Sequence, residues 1–327
     1  MSAFFGTVFT VGQQVVILFI LIGIGFAIRK FHWFDDDGAK QMTKVLLYLV
    51  TPSVIIYSFT ELDVAGNSFL NLGIAALCAL LTHTVGILLA SLFFRRDEER
   101  RRTILRLNVI FSNCGFLSIP IVQAVAGVGA VAYLSVYIAI FNLLMWTYGV
   151  SMFQAEVKSP AKALLNPGVI GLAIGLIVFL LRLYAGFNMP YIAVTPLSSL
   201  ASLNTPLAML ITGGYLANAD LRPRKGDGRM WLSILLRLLA VPAIMLSFFH
   251  FLLPAAVAAL FPAAALSMSG ALLVACTVPA AAPSSTNSIL FAVLYDGDVE
   301  LGSRSVPLAN LTSLLTMPVI ISLAKLL

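Results

Sequence analysis

Apolar runs of about 20 residues, each long enough to cross a hydrocarbon layer of roughly 30 Å, recur along the chain between short polar segments. They predict ten membrane-spanning helices, near 8–28, 40–60, 69–94, 104–126, 130–153, 167–184, 195–216, 231–253, 263–295 and 304–325. The second span departs from the others, because Lys40, Gln41, Thr43, Lys44 and Thr51 give it an amphipathic pattern. Such a helix is expected to face protein or a water-filled cavity instead of lipid.

Composition agrees with this pattern. The 327 residues are 60% hydrophobic and 10% charged, with a mean hydropathy of +0.99, whereas soluble domains carry roughly 25% charged residues. The expected fold class is therefore an all-α polytopic membrane protein with the lipid bilayer as its solvent. The first apolar stretch, Val8 to Ile28, has no Lys or Arg before it and has Arg29 and Lys30 after it. That reverses the charge order of a secretory signal, so no cleavage is expected. Cys78, Cys114 and Cys276 lie in apolar stretches without CxxC or CxxH spacing and read as small buried hydrophobes, with no disulfide or metal. The formal charge of +6 sits in short loops, which argues for membrane topology and against nucleic acid as a partner.

Sorting the cations by loop gives an orientation. The loops after odd-numbered spans hold Arg29, Lys30, Arg95, Arg96, Arg100, Arg101, Arg102, Lys158, Lys162, Arg222, Arg224, Lys225, Arg229 and Arg304, against Arg182 and Lys325 on the other side. By the positive-inside rule the odd loops are cytoplasmic, which puts both termini outside a cell inner membrane. Five spans (1–153), a polar linker (154–166) and five more (167–327) are the arithmetic of an inverted repeat, because an odd number of crossings flips the second half. Thr51-Pro52 in the second span has a counterpart in Thr205-Pro206 in the seventh, and Pro120 in the fourth has one in Pro283 in the ninth.

Two segments break the rule that a membrane helix is apolar throughout. In Ser112–Gln123 the polar side chains of Asn113, Ser118 and Gln123 arrive at mid-span beside Gly115 and the helix-disrupting Pro120. In Pro279–Ser288, Pro283 is followed by Ser284, Ser285, Thr286, Asn287 and Ser288. Unwound backbone is tolerated at membrane depth only where protein or a water-lined cavity satisfies it. A helix restarting after such a break offers free N–H groups and a partial positive charge, which can hold a carboxylate without a buried Lys. The plainer alternative for each segment is a kinked helix whose hydroxyls bond to its own backbone or pack on a neighbour.

Other features narrow the chemistry. No Asp or Glu lies inside a span away from its ends, which argues against a cation antiporter built on buried carboxylates. His83 and His250 read as packed neutral side chains, with His83 kept as a candidate for proton coupling. Lys44, Arg106 and Arg237 are read as snorkelling to the cytoplasmic interface. Gly171-xxx-Gly175 fits close helix packing, with a dimer contact as one use. No GxSxG, HExxH or Walker-type segment occurs, so neither an enzyme nor a primary pump is expected.

The most distinctive segments are Asn113-Cys-Gly-Phe-Leu-Ser-Ile-Pro120 and Tyr295-Asp-Gly-Asp298 leading through Thr312-Ser313 to Thr316-Met-Pro318. Taken together these segments resemble the auxin efflux carrier family, whose bacterial members include malonate and malate permeases. Asn166-Pro167, Phe141-Asn142, Pro52 and Pro206 support the resemblance. It implies two inverted five-helix repeats with broken crossover helices in spans 4 and 9. It further implies a scaffold of spans 1, 2, 6 and 7, a transport domain of spans 3–5 and 8–10, an elevator movement, and a homodimer formed through the scaffold. Asn113 and the Pro120 and Pro283 breaks would belong to the substrate site. The loop between the halves is short, so the regulatory loop of the plant carriers has no equivalent, and a bacterial mono- or dicarboxylate is a better substrate than auxin.

The sequence thus points to a secondary transporter for a small organic anion. Its candidate substrate-binding residues are Asn113, Gly115, Ser118, Pro120, Gln123, Pro283, Ser284, Ser285, Thr286 and Asn287. Coupling or scaffold roles fall to His83, Pro52, Pro206, Asn142 and Asn166. No cofactor is expected, and the coupling ion, H+ or Na+, stays open. The alternatives are a sodium-coupled bile-acid-type symporter and a membrane sensor or lipid-binding protein that does not transport.

Overall fold

The computed structural model describes residues 2–60, 68–115, 117–127, 130–153, 167–218, 222, 227–252, 255 and 270–326, and among them it contains helices and no strand. In lipid this follows from backbone chemistry, since a helix satisfies its own N–H and C=O groups without water. The first apolar run forms α1 (Ser2–Lys30), which ends on Arg29 and Lys30 where cations favour the negative end of the helix dipole. Asp35 then caps α2 (Asp36–Val45) by accepting from the Gly38 amide at 2.8 Å, and that contact holds its carboxyl below the usual range.

α2 runs through a π turn, Leu46–Val50, into α3 (Thr51–Thr60). The π turn has a local cause. Pro52 lacks an N–H and its ring crowds the carbonyl one turn back, and the wider turn just before it, closed by Thr51 N–H on the Leu46 carbonyl, relieves the clash. The second span is amphipathic as the sequence predicts, with Thr43 buried and Lys40, Gln41 and Lys44 exposed.

The chain continues through α4 (Ser68–Phe93), α5 (Glu99–Ile110), α6 (Ser118–Ala126) and α7 (Val131–Leu144), the last extended by a π turn at Met145–Gly149. After the linker come α8 (Pro167–Ala185), α9 (Tyr191–Ser202) and α10 (Asn204–Asn218). α11 (Asp227–Leu235), a π turn (Leu236–Ala240) and α12 (Val241–Ser247) form one helix, in which Pro242 again follows a π turn. α13 (Gly270–Ala281), α14 (Asn287–Leu294) and α15 (Val299–Leu326) complete the chain. Among the described residues four helices are long and apolar enough to cross a membrane, at Leu70–Phe93, Tyr191–Asn218, Asp227–Leu252 and Val299–Ala324.

Two tight pairings build one side of the molecule. α1 packs backbone to backbone on α10, so that a methyl group added at Gly25 would lie 2.3 Å from the Leu210 carbonyl oxygen and one at Gly213 would lie 2.0 Å from that of Ile22. α3 packs on α8, with Gly171 against Pro52 and Gly175 against the Phe59 ring. Close packing is therefore the role of the Gly171-xxx-Gly175 pair, but its partner is this chain's own α3. The outward faces of α1 and α8 expose Val16, Ile17, Ile20, Ile24, Ile170, Ile174 and Ile177, apolar side chains suited to lipid or to another apolar protein surface. Trp33, Tyr184 and Tyr191 are exposed at helix ends, where amphipathic rings favour the bilayer interface.

Four polar connections meet at one end of the bundle. Arg229 pairs with Asp97, Arg29 with Asp36, Arg100 with Asp296 at 2.9 Å, and Arg304 with Asp227 at 2.9 Å. The Arg100–Asp296 pair is exposed and contributes roughly 0–1 kcal/mol. Arg304 is buried and also donates to the Arg222 carbonyl at 3.0 Å, so this pair is the one that fixes α15 to the start of α11.

The α1–α10 contact leads to a direct test. Gly25→Leu should lower the melting temperature of the purified protein by several degrees, from overpacking of about 1–3 kcal/mol. Gly23→Leu, two residues along the same helix with nothing within 4 Å, should leave it unchanged.

Candidate functional site

Both segments that the sequence marks as broken leave their helices, and they pair with each other. α5 stops at Ile110 and Phe111 turns extended, while α13 stops at Ala281. Between them Ser112 and Ser284 form an isolated antiparallel bridge. The Asn113 amide donates to the Pro283 carbonyl at 2.7 Å, and the Ser285 amide donates to the Phe111 carbonyl at 2.9 Å. Each segment thus supplies the hydrogen bonds that the other lost on leaving its helix, which is what permits extended backbone at this depth. Ser284 adds its hydroxyl to the Asn108 carbonyl at 2.9 Å.

The prolines act differently from the sequence expectation. Pro283 lies in the break, but Pro120 occupies the first turn of α6 and Pro279 lies within α13. A proline in a first turn loses no hydrogen bond, because that N–H has no partner inside the helix in any case. Pro206 likewise falls in the first turn of α10, after the interruption at Leu203.

The carbonyl ends of both broken helices converge on one side chain. Arg237, on the π turn between α11 and α12, is fully buried. Its Nε donates to the Ala282 carbonyl at 3.0 Å, its Nη1 to Val109 at 3.3 Å, and its Nη2 to Pro279 at 3.1 Å and to Ala280. The expectation that Arg237 snorkels to the interface is therefore overturned. The helix begins at Asp227, ten residues earlier, so the side chain starts roughly 15 Å inside it. The available signal was a lone Arg with apolar residues on both sides in Ser233-Ile-Leu-Leu-Arg-Leu-Leu, since intramembrane charge is functional by default.

Beside the crossing lies a cavity of about 20 Å³. Thr51, Val54, Ile55 and Asn204 form one wall, and Asn113, Gly115, Ile138, Phe141, Asn142, Ser285 and Asn287 form the other. Both amide atoms of Asn113 and the Oδ1 of Asn287 are buried without a partner among the described residues. Asn142 donates to the Ile138 carbonyl at 2.9 Å. Leaving such a buried group unpaired costs about 1–3 kcal/mol, so each requires an explanation. The lining contains no carboxylate.

Of the predicted site residues, the cavity gathers Asn113, Gly115, Ser285, Asn287 and Asn142. Ser284 is turned to Asn108, and the Thr286 hydroxyl accepts from Thr212 at 3.5 Å. Ser118 is buried at the start of α6, outside the lining. Pro52 packs on Gly171, while Thr51 beside it reaches the cavity. The side chains of Pro120 and Gln123, and the whole of Asn166, lie outside the described residues. His83 stands behind the site, with Nδ1 2.7 Å from the Ala79 carbonyl oxygen and its ring against Phe111, Tyr137 and Phe141. Sequence reasoning missed Asn204, although it directly precedes the Thr205-Pro206 pair that drew attention.

A second cavity, of about 410 Å³, opens at the end where the charged connections meet. Asp36, Lys40, Tyr215 and Asn218 line it on one side, and Ala292, Val293, Asp296, Val299, Glu300 and Ser303 on the other. Both cavities thus lie between the same two groups of helices, α2, α3 and α10 on one side and the helices of the crossing with α7 and α15 on the other.

Comparison with known proteins gives the family. An uncharacterized transporter of Methanocaldococcus jannaschii, MJ1031, is 24% identical over 327 aligned residues, covering 93% of this chain and 95% of its own length. An uncharacterized transporter of Methanothermobacter thermautotrophicus is 24% identical over 312 residues, covering 94% and 96%. The sequence profile of a membrane transport protein family matches residues 10–159 and 154–321, nearly the whole chain. The chain therefore belongs to that family, the auxin efflux carrier family of membrane transporters, and is a transporter and not an enzyme.

Proposed function

We propose that the protein is a secondary active transporter of elevator type that moves a small organic anion, such as a mono- or dicarboxylate, across the cell inner membrane. The observation that carries this reading is the buried, unpartnered side-chain amide of Asn113 at the point where two broken helices pair. Asn113, Asn142, Asn204, Asn287 and Ser285 offer amide and hydroxyl contacts without any negative charge. The restarting helices α6 and α14 add the partial positive charge of their N-termini.

The architecture is ten spans in two inverted repeats, 1–153 and 167–327, joined by 154–166. Pairing of α1 with α10 and of α8 with α3 supports it, because exchanging the two halves converts one pair into the other. The first group of helices, with α1, α8 and α9, is the scaffold, and its apolar outer face serves a homodimer. The second group is the moving transport domain. A 20 Å³ cavity admits little more than one water, so a carboxylate enters only when the two walls separate, and both cavities mark that sliding boundary. The cation-rich end is cytoplasmic by the positive-inside rule, which leaves both termini outside.

Uptake of labelled malonate, malate and indole-3-acetate into proteoliposomes, under imposed proton or sodium gradients, tests the reading. One acid should be taken up saturably, and Asn113→Ala should weaken its apparent affinity about 10- to 100-fold, as expected for losing a hydrogen bond of about 1.5–3 kcal/mol to a charged group. Folded wild type that takes up no acid under either gradient would sink the proposal. The sliding boundary has its own test. Val54→Cys with Ile138→Cys, bridged across the cavity by mercury, should arrest uptake reversibly, whereas either single variant should stay active in mercury. Undiminished uptake in the bridged protein would rule out relative movement of the two walls.

A further inference from the structure

The four carbonyls that hold Arg237 belong to the ends of two different helices. Val109 lies at the end of α5, Pro279 and Ala280 lie at the end of α13, and Ala282 directly follows it. Each C-terminal end carries the equivalent of roughly −0.5 elementary charge, so the two together approach one negative charge. One guanidinium balances them. Its planar fork of five donors can reach acceptors on two helices at once, which a point-charge ammonium cannot do as well. The π turn at Leu236–Ala240 supplies the local geometry, because the Val241 N–H closing on the Leu236 carbonyl shifts the helix register where Arg237 emerges.

Carbonyls freed at the C-terminal ends of broken membrane helices are the ligands that cation-coupled transporters offer to sodium or protons. Here they are spent on a side chain. We propose that Arg237 is a resident cation of the crossover, which permanently fills the position a coupling metal ion would otherwise take. With the carbonyl ends neutralised, the two restarting ends at Ser118 and Asn287 are left with a combined partial charge of roughly +1. That excess suits one carboxylate. The anion is therefore held without a co-bound sodium ion at the crossing, and Arg237 acts as a positioning residue that never touches the substrate.

This inference rests on the anion reading of the crossing, but it is tested on the protein without substrate, so either can fail alone. Melting of the purified protein is recorded in sodium chloride and in choline chloride at equal ionic strength, with and without low-millimolar methylguanidinium. Wild type should melt at the same temperature in all four conditions. Arg237→Ala should melt at least about 5 °C lower and recover part of that loss when methylguanidinium or sodium is present. If Arg237→Ala does not fold, Arg237→Lys serves instead, with an ammonium that satisfies fewer carbonyls and a smaller response of the same sign. Wild type stabilised by sodium over choline would overturn the proposal, because a metal site would then exist beside the guanidinium. A folded Arg237→Ala that answers to neither cation would overturn it equally, reducing Arg237 to packing.

Discussion

Two stretches of extended backbone can exist in the middle of this membrane protein only because each completes the other. The bonds from Asn113 to Pro283 and from Ser285 to Phe111 replace helical bonds that both chains gave up, and an unsatisfied backbone group in hydrocarbon costs several kcal/mol. Everything around the crossing answers to it. Ser284 and Arg237 serve the freed carbonyls, and the restarting helices point their N-termini back at the break. Helices α3 and α10 close the side on which Asn113 lies.

The crossing also separates charge. Breaking two helices creates two negative and two positive partial charges around the paired segments. A buried Arg that meets only the carbonyl ends balances one pair and leaves the other, and the proposed anion reading rests on that remaining positive pair. On the same proposal the buried amides would add specificity, because an unpaired Asn side chain gains most from a partner that completes its hydrogen bonds.

Much of this was legible in the sequence. Several apolar runs matched helices with starts five or six residues late, as with 8–28 for Ser2–Lys30 and 304–325 for Val299–Leu326, because lipid leaves the backbone few alternatives. The density of polar side chains around Asn113 and Ser284 located both breaks. Three things were not legible. Proline marked one break and missed the other, since Pro283 lies in its break while Pro120 sits harmlessly in the first turn of α6. Arg237 was misplaced because its depth depends on where its helix begins, and a shift of a few residues turns a buried charge into an interfacial one. Asn204 and Thr51 could not be assigned to the site from spacing, because their walls meet the crossing only through the packing of α3 and α10. The same holds for Ser284 and Thr286, whose neighbours Ser285 and Asn287 face the cavity while they face protein.

The central claim is that the paired breaks are the anion site, and hydrogen exchange tests it directly. Exchange is followed by mass spectrometry on the protein in detergent, with malonate, malate or indole-3-acetate added in turn. The account predicts that a bound acid slows exchange in residues 111–118 and 282–288 together. Binding that protects neither segment, or protects a different region of the molecule, would contradict it.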